Sequence, residues 1–356
     1  MSPLVARRDD LVSLEGYHSP QVPAEVRLNT NESPLPPPAG WAEAFGAEVA
    51  RIAPNRYPDR GADDLRRALA ELHGVSPSEV FCANGSNEVI QCLLLAFGGP
   101  DRLVATFEPT YALHSFIARL TATPIASAPR DARFGVDVDA AKALFEERRP
   151  AVTFLCSPNN PTANADPPEL VERILSMAPG LVVVDEAYGQ FAQASAAALL
   201  GRAGAEGLVV VRTFSKTWAM AAARLGYLLA DREIVEAAQA VALPYHLSAY
   251  TQAAGLCALR FRPEMEARVA LVAEQRGRLA AALAGLDVEQ WPSDANFILF
   301  RPRARSAKEV WQGLLERSVL IRDVSGRDEL AGCLRVTVGT AAENDRFLAA
   351  LEACLR

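Results

Sequence analysis

Seven short apolar runs between residues 80 and 230 limit what this chain can fold into more than any other feature. They are Val80–Cys82, Leu103–Thr106, Pro124–Ala128, Val152–Cys156, Leu181–Val184, Leu208–Val211 and Tyr227–Ala230. Several stay apolar at successive positions, where a strand with one wet face would alternate. They read as strands buried on both faces of a mainly parallel sheet. Helical pattern separates them, and strand–helix–strand repetition is α/β architecture with right-handed crossovers. Ligands of such sheets gather beyond the carboxyl ends of the strands, so the residues after each run are the first candidates for chemistry.

A chain of 356 residues is too long for one small core and predicts a large and a smaller domain. A helix over 63–73 carries Leu65, Ala68, Leu69 and Leu72 on one stripe. After residue 262 the pattern changes to a long helix (Pro263 to Leu286), Asn296–Arg301, a helix near 306–317, Val319–Arg322, Leu334–Val338 and a terminal helix from Glu343. This predicts a smaller α+β domain of residues 1–29 and 263–356 beside a large domain of residues 30–262. The proline-rich start, with Asn29-Thr30-Asn31-Glu32-Ser33-Pro34, reads as an extended arm on the surface or crossing to a partner, packed with the small domain.

The net charge of −7 argues against nucleic acid as the main partner. The six cysteines show no metal-ligand spacing and read as reduced core residues, so no metal is expected. No run has the length of a membrane span or the look of a signal peptide, which predicts a cytoplasmic protein without a membrane partner.

Five strand ends carry side chains that a core does not require. Gly85-Ser86-Asn87-Glu88 places a tight turn before a helix, which exposes backbone amides to an anion or simply caps the helix with Ser86 or Asn87. Tyr111, in Glu108-Pro109-Thr110-Tyr111, could stack on an aromatic ring or serve as a rim aromatic. Ser157-Pro158-Asn159-Asn160-Pro161-Thr162 is more elaborate than a turn needs and could aim the Asn160 amide at a ligand oxygen. Asp185 follows four apolar residues, so its carboxylate must find a partner, and Tyr188 lies three residues on. Lys216, in Thr213-Phe214-Ser215-Lys216-Thr217-Trp218, suits an imine with a carbonyl cofactor, with Thr213, Ser215 and Arg224 as phosphate donors. Farther along, Arg335 sits inside an apolar strand and needs an anionic partner. Arg322 is a second anion candidate, although the adjacent Asp323 could pair with it.

Taken in order, N-x-N-E-S-P, R-Y-P, G-S-N-E, P-T-Y, S-P-N-N-P-T, D-E-A-Y, T-F-S-K-T-W-A-M-A-A-A-R-L-G-Y and L-R-V-T-V-G-T resemble the fold-type I aminotransferases that use pyridoxal 5′-phosphate, and within them the histidinol-phosphate aminotransferase branch. The resemblance implies a seven-stranded, mainly parallel sheet in the large domain. It also implies that Lys216 holds the cofactor as an imine and then moves the substrate proton as general base. Asp185 would pair with the pyridine nitrogen, Tyr111 would stack on the ring, and Asn160 and Tyr188 would bond its phenolic oxygen. Ser86, Asn87, Thr213, Ser215 and Arg224 would hold the phosphate, joined by Tyr57 from a neighbouring subunit of a homodimer. Arg335, Arg322, Asn160 and Tyr17 would receive the substrate's anionic end.

By the same resemblance the substrates are histidinol phosphate with glutamate and 2-oxoglutarate. An aromatic amino acid is the alternative, followed by decarboxylation of a phosphorylated amino acid or a non-catalytic binding module. One departure is Ala163, where the family usually has glycine.

Overall fold

A computed structural model describes residues 8–12, 14, 16 and 22–356. Its strands are β1 (Val26–Leu28), β2 (Val80–Ala83), β3 (Val104–Glu108), β4 (Ile125–Pro129), β5 (Val152–Cys156), β6 (Leu181–Asp185), β7 (Leu208–Thr213), β8 (Gly226–Ala230), β9 (Val288–Gln290), β10 (Phe297–Pro302), β11 (Val319–Asp323) and β12 (Leu334–Thr337). Each of the seven apolar runs forms one strand of a seven-stranded sheet of order β2-β8-β7-β6-β5-β3-β4. Only β8 opposes its neighbours, pairing antiparallel with both β2 and β7. The strands outrun the apolar stretches where pairing continues: Glu108 still faces Pro129, and Thr213 still faces Gly226.

Continuous apolarity has the physical basis expected of it. Val182, Val184, Leu208 and Val210 join one buried cluster, while Val183, Val209 and Val211 join another across the sheet. Successive side chains alternate faces, and here both faces are dry. Each such residue, fully buried, contributes roughly 1.5–3 kcal/mol.

The second sheet has the order β1-β11-β12-β10-β9, antiparallel except for the parallel pair β1 and β11. The long helix runs from Arg262 to Leu283. It gives Met265 to the core of the large sheet and Val272, Leu279 and Leu283 to that of the small one.

The arm lies against the second sheet and is more deeply buried than a surface segment would be. β1 pairs Val26–Leu28 with Val319–Ile321, and the chain then buries Asn29 and Asn31 to 2% and 1% exposure. A buried amide must be hydrogen-bonded. The Asn31 side chain donates to the Tyr188 hydroxyl (3.0 Å), and its backbone N–H donates to Thr337 Oγ1 (3.0 Å). Among the described residues no helix is long and apolar enough to cross a membrane, and no group of three or more His, Cys, Asp or Glu is placed to hold a metal ion.

Candidate active site

The carboxyl ends of the parallel strands open into a cavity of about 240 Å³. It is lined by Ser86, Asn87, Tyr111, Asn160, Asp185, Tyr188, Thr213, Ser215, Lys216, Arg224 and Arg335. The structure thus brings together eleven of the side chains singled out in the sequence. Of the other three, Arg322 lines an adjoining cavity of about 290 Å³, whose wall also includes Tyr111, Asn160 and Arg335. Tyr57 is 80% exposed, stacked on Tyr245 with ring centroids 4.5 Å apart, and is not in the lining. Tyr17 lies outside the described residues.

One end of the cavity is built of donors. The helix Ser86–Phe97 begins there with Gly85 at its cap and no side-chain cap, so Ser86 opens the helix and neither it nor Asn87 caps it. Thr213 Oγ1 donates to Ser215 Oγ (3.0 Å), which also accepts from Arg224 Nη1 (3.4 Å). Two glycines permit this crowding. A Cβ on Gly226 would lie 2.2 Å from the Ser86 nitrogen, and one on Gly85, at φ +81°, would lie 2.6 Å from Arg224 Nη2. Helix-start amides, hydroxyls and a guanidinium fork form a donor set for a phosphate.

A buried carboxylate also lines the cavity. Asp185 closes β6 at 1% exposure; its Oδ2 accepts from His114 Nε2 (2.9 Å) and its Oδ1 from the Ala187 backbone N–H (3.1 Å). Because an ionised carboxylate only accepts, His114 must carry its proton on Nε2. The imidazole is fully buried and stacks on Phe154 at 4.5 Å.

Lys216 lines the same cavity. Its Nζ donates to the Thr30 carbonyl (3.0 Å) and stands 5.7 Å from the Tyr188 ring centre. Burial pushes its amine down to about 8; the positive fields of Arg335 and Arg224 act in the same direction, and Glu32 opposes them. Burial likewise raises the Tyr188 phenol to about 12.

The two asparagines of Ser157-Pro158-Asn159-Asn160 divide the work. Asn159 is fully buried, donating to the Pro109 carbonyl (2.9 Å) and Thr162 Oγ1 (2.6 Å) and accepting from Thr110 Oγ1 (2.8 Å), which locks two loops together. Asn160 is left at the cavity, where its Oδ1 accepts from Arg335 Nη1. Ala163 adopts the left-handed angle that its place in the loop demands, at φ +70°. Arg335 also donates from Nη2 to the Asn29 carbonyl (2.8 Å), and its guanidinium lies 5.1 Å from the Phe297 ring centre. On the neighbouring strand Arg322 sits directly opposite it. Like charges in that register repel, which favours an anionic ligand over a neutral one nearby.

Sequence reasoning missed His114 and Asn29 to Glu32 as parts of this site. His114 is one polar residue within a helical pattern and gives no local signal. The N-x-N-E spacing is visible in the sequence, but nothing local to it points to the site.

Comparison with known proteins agrees with this geometry. Residues 23–351 match the family described as aminotransferase class I and II. A histidinol-phosphate aminotransferase of Thermobifida fusca is 49% identical, covering 97% of this chain and 94% of its own. One from Frankia casuarinae is 45% identical over 97% and 89%. Among solved structures, histidinol-phosphate aminotransferase from Sinorhizobium meliloti, in complex with pyridoxal 5′-phosphate, superposes with a TM-score of 0.89 at 23% identity, covering 100% of this chain and 99% of that one. The chain belongs to the class I and II aminotransferases, and within them to the histidinol-phosphate aminotransferase branch.

Proposed function

We propose that this protein transfers an amino group between histidinol phosphate and 2-oxoglutarate with pyridoxal 5′-phosphate as its cofactor. The observation that carries the reading is that one cavity gathers Lys216, a phosphate-type donor set, a buried carboxylate and Arg335, with Arg322 in the adjoining cavity. The residues fit the cofactor. Ser86, Thr213, Ser215 and Arg224 suit its phosphate, Asp185 its ring nitrogen, Tyr111 its ring face, and Tyr188 and Asn160 its phenolic oxygen. When bound, the cofactor supplies an electron sink for charge that develops at the substrate carbon.

The protein's own part is to bind, orient and move a proton. Arg335 and Arg322 receive the anionic end of the substrate and set its reacting carbon toward Lys216. The Lys216 amine takes the proton from that carbon and returns it in the reverse half of the exchange, a task suited to a group that titrates near the working pH. Asp185, held by His114 and Ala187, keeps negative charge at its end of the site. Asn29 to Glu32 wall the cavity and limit water.

A homodimer in the cytoplasm accompanies this reading. The stacked Tyr57 and Tyr245 stay exposed, as do Leu243 and Tyr250, and exposed aromatic surface of this kind suits a second copy, where Tyr57 would serve the neighbour's phosphate end. The division into residues 30–262 and residues 1–29 with 263–356 is part of the same proposal.

The deciding measurement is kcat/KM with 2-oxoglutarate as acceptor. Histidinol phosphate is expected to exceed phenylalanine and tyrosine by at least about tenfold, or roughly 1.4 kcal/mol. A preference for either aromatic amino acid would overturn the substrate assignment.

The lowered Lys216 pKa gives a second expected result. In the cofactor-free protein its arylation by fluorodinitrobenzene, in which the neutral amine displaces fluoride from the ring, should be half-maximal near pH 8 and not near the ordinary 10.5. The sign follows from burial, which disfavours the charged amine. Half-modification two pH units higher would show that the amine is not desolvated.

A further inference from the structure

The cavity beside the cofactor site is lined by a third guanidinium besides Arg322 and Arg335, that of Arg327. Resting on the reading above, we propose that Arg327 determines specificity, selecting a phosphorylated substrate over one that lacks the phosphate, and that Glu108 positions it.

Arg327 lies in the segment joining β11 to β12, which is pinned on both sides of it. Asp323 Oδ1 accepts from the Ser325 backbone N–H (2.9 Å) and hydroxyl (2.6 Å). Leu330, 2% exposed, packs in a small cluster with Phe134, Leu299 and Cys333. Between these anchors Arg327 reaches across to the other sheet, where its Nη1 pairs with Glu108 Oε2 at 2.5 Å. Glu108 is itself fixed at the end of β3, accepting from the Thr110 backbone N–H (3.1 Å) and from Thr106 Oγ1 (3.2 Å). The guanidinium is therefore held from the side of the large sheet in a cavity that both sheets enclose. Its hydrogen bonds to described residues, to Glu108 and the Thr110 carbonyl, all use Nη1, which leaves the donors on Nε and Nη2 for a ligand.

The charge pattern distinguishes ligands. A carboxylate offers one negative charge and two oxygens, which one guanidinium fork satisfies. A phosphate monoester offers between one and a half and two charges and three oxygens. Arg322 and Arg335, opposed across β11 and β12, already supply two forks. A third has something to bind only when the ligand bears phosphate. Glu108 offsets the charge of Arg327 in the meantime and keeps the fork in place.

The test compares histidinol phosphate with histidinol, the same amine without its phosphate. In the Arg327→Gln enzyme the ratio of their kcat/KM values is expected to fall by roughly tenfold or more, the effect of losing a hydrogen bond to a charged group. Arg327→Lys, which keeps the charge, should recover part of the ratio, and Glu108→Gln should lower it less than Arg327→Gln. A purely structural role would lower both substrates together. A ratio within twofold of wild type in Arg327→Gln would overturn the proposal while leaving the aminotransferase reading intact.

Competitive inhibition by inorganic phosphate reads the same subsite independently of the physiological substrate. Its inhibition constant should rise in Arg327→Gln; an unchanged constant counts against the proposal. If Arg327→Gln fails to fold, the Arg327→Lys and Glu108→Gln enzymes decide it by the same ratio. Wild-type enzyme inert toward histidinol phosphate would instead remove the substrate assignment on which the proposal rests.

Discussion

A Lys216→Ala protein is expected to fold normally and to lose roughly 10²- to 10⁴-fold in kcat, the range for removing a positioned proton-transfer group. The fold should survive because the loop does not depend on the amine. Phe214 stacks on Trp218 at 5.1 Å, and the Phe214 carbonyl accepts from the Met220 backbone N–H (3.2 Å). What disappears is the amine that shares its cavity with the phosphate-type donors and Asp185. Two observations would accompany the loss if the assignment is correct. Borohydride would fix cofactor to the wild-type chain and not to the variant, as read by mass, and a small added amine would restore part of the rate. A variant that turned over at the wild-type rate would end the account of Lys216 as the working base.

The second large effect is expected at Asp185. In Asp185→Asn the side chain keeps its size and can still accept from Ala187, but the negative charge is gone. An amide N–H also meets the His114 Nε2–H, donor against donor. Unpairing a buried charged contact costs about 3–5 kcal/mol; felt in the transition state, that lowers kcat roughly 10²- to 10⁴-fold. KM for the phosphorylated substrate should move little, because Arg335 belongs to another strand and keeps its contacts with Asn160 and Asn29. That split separates loss of charge from general damage. A kcat within a few-fold of wild type would show that the ring end of the site does not need the carboxylate.

Much of this was legible because it was written in the backbone. Runs such as Val182-Val183-Val184 announce a strand dry on both sides, and a strand of that kind fixes where the next loop emerges. Asp185, Lys216 and the asparagine loop could therefore be ranked before any coordinates. His114 could not. It meets Asp185 only because the helix Ala112–Leu120 lies against the sheet, a contact between residues 71 apart. The burial of the arm is hidden from the sequence for a related reason. Proline-rich sequence reports local stiffness, whereas the burial of Asn29 and Asn31 depends on Tyr188, Asn296, Thr337 and Arg335, all far along the chain. Choosing Asn160 over Asn159 was open to sequence only in part, since it turns on Asn159 being spent on Pro109, Thr110 and Thr162, which leaves Asn160 at the cavity.

The pairing of β1 with β11 also bears on the order in which the protein is made. Val26 finds its partner Val319 only after 293 further residues have been added, and Arg335, which ties down the Asn29 carbonyl, comes later still. At about 5–20 residues per second the large sheet has all its strands well before the arm has anything to join. Lys216 and Asp185 are thus in place early, while the wall formed by Asn29 to Glu32 closes at the end of synthesis. A ribosome-bound chain stopped before residue 319 would carry a nearly finished sheet and an open pocket, so the last strands to emerge are those that allow the first one to complete the enzyme.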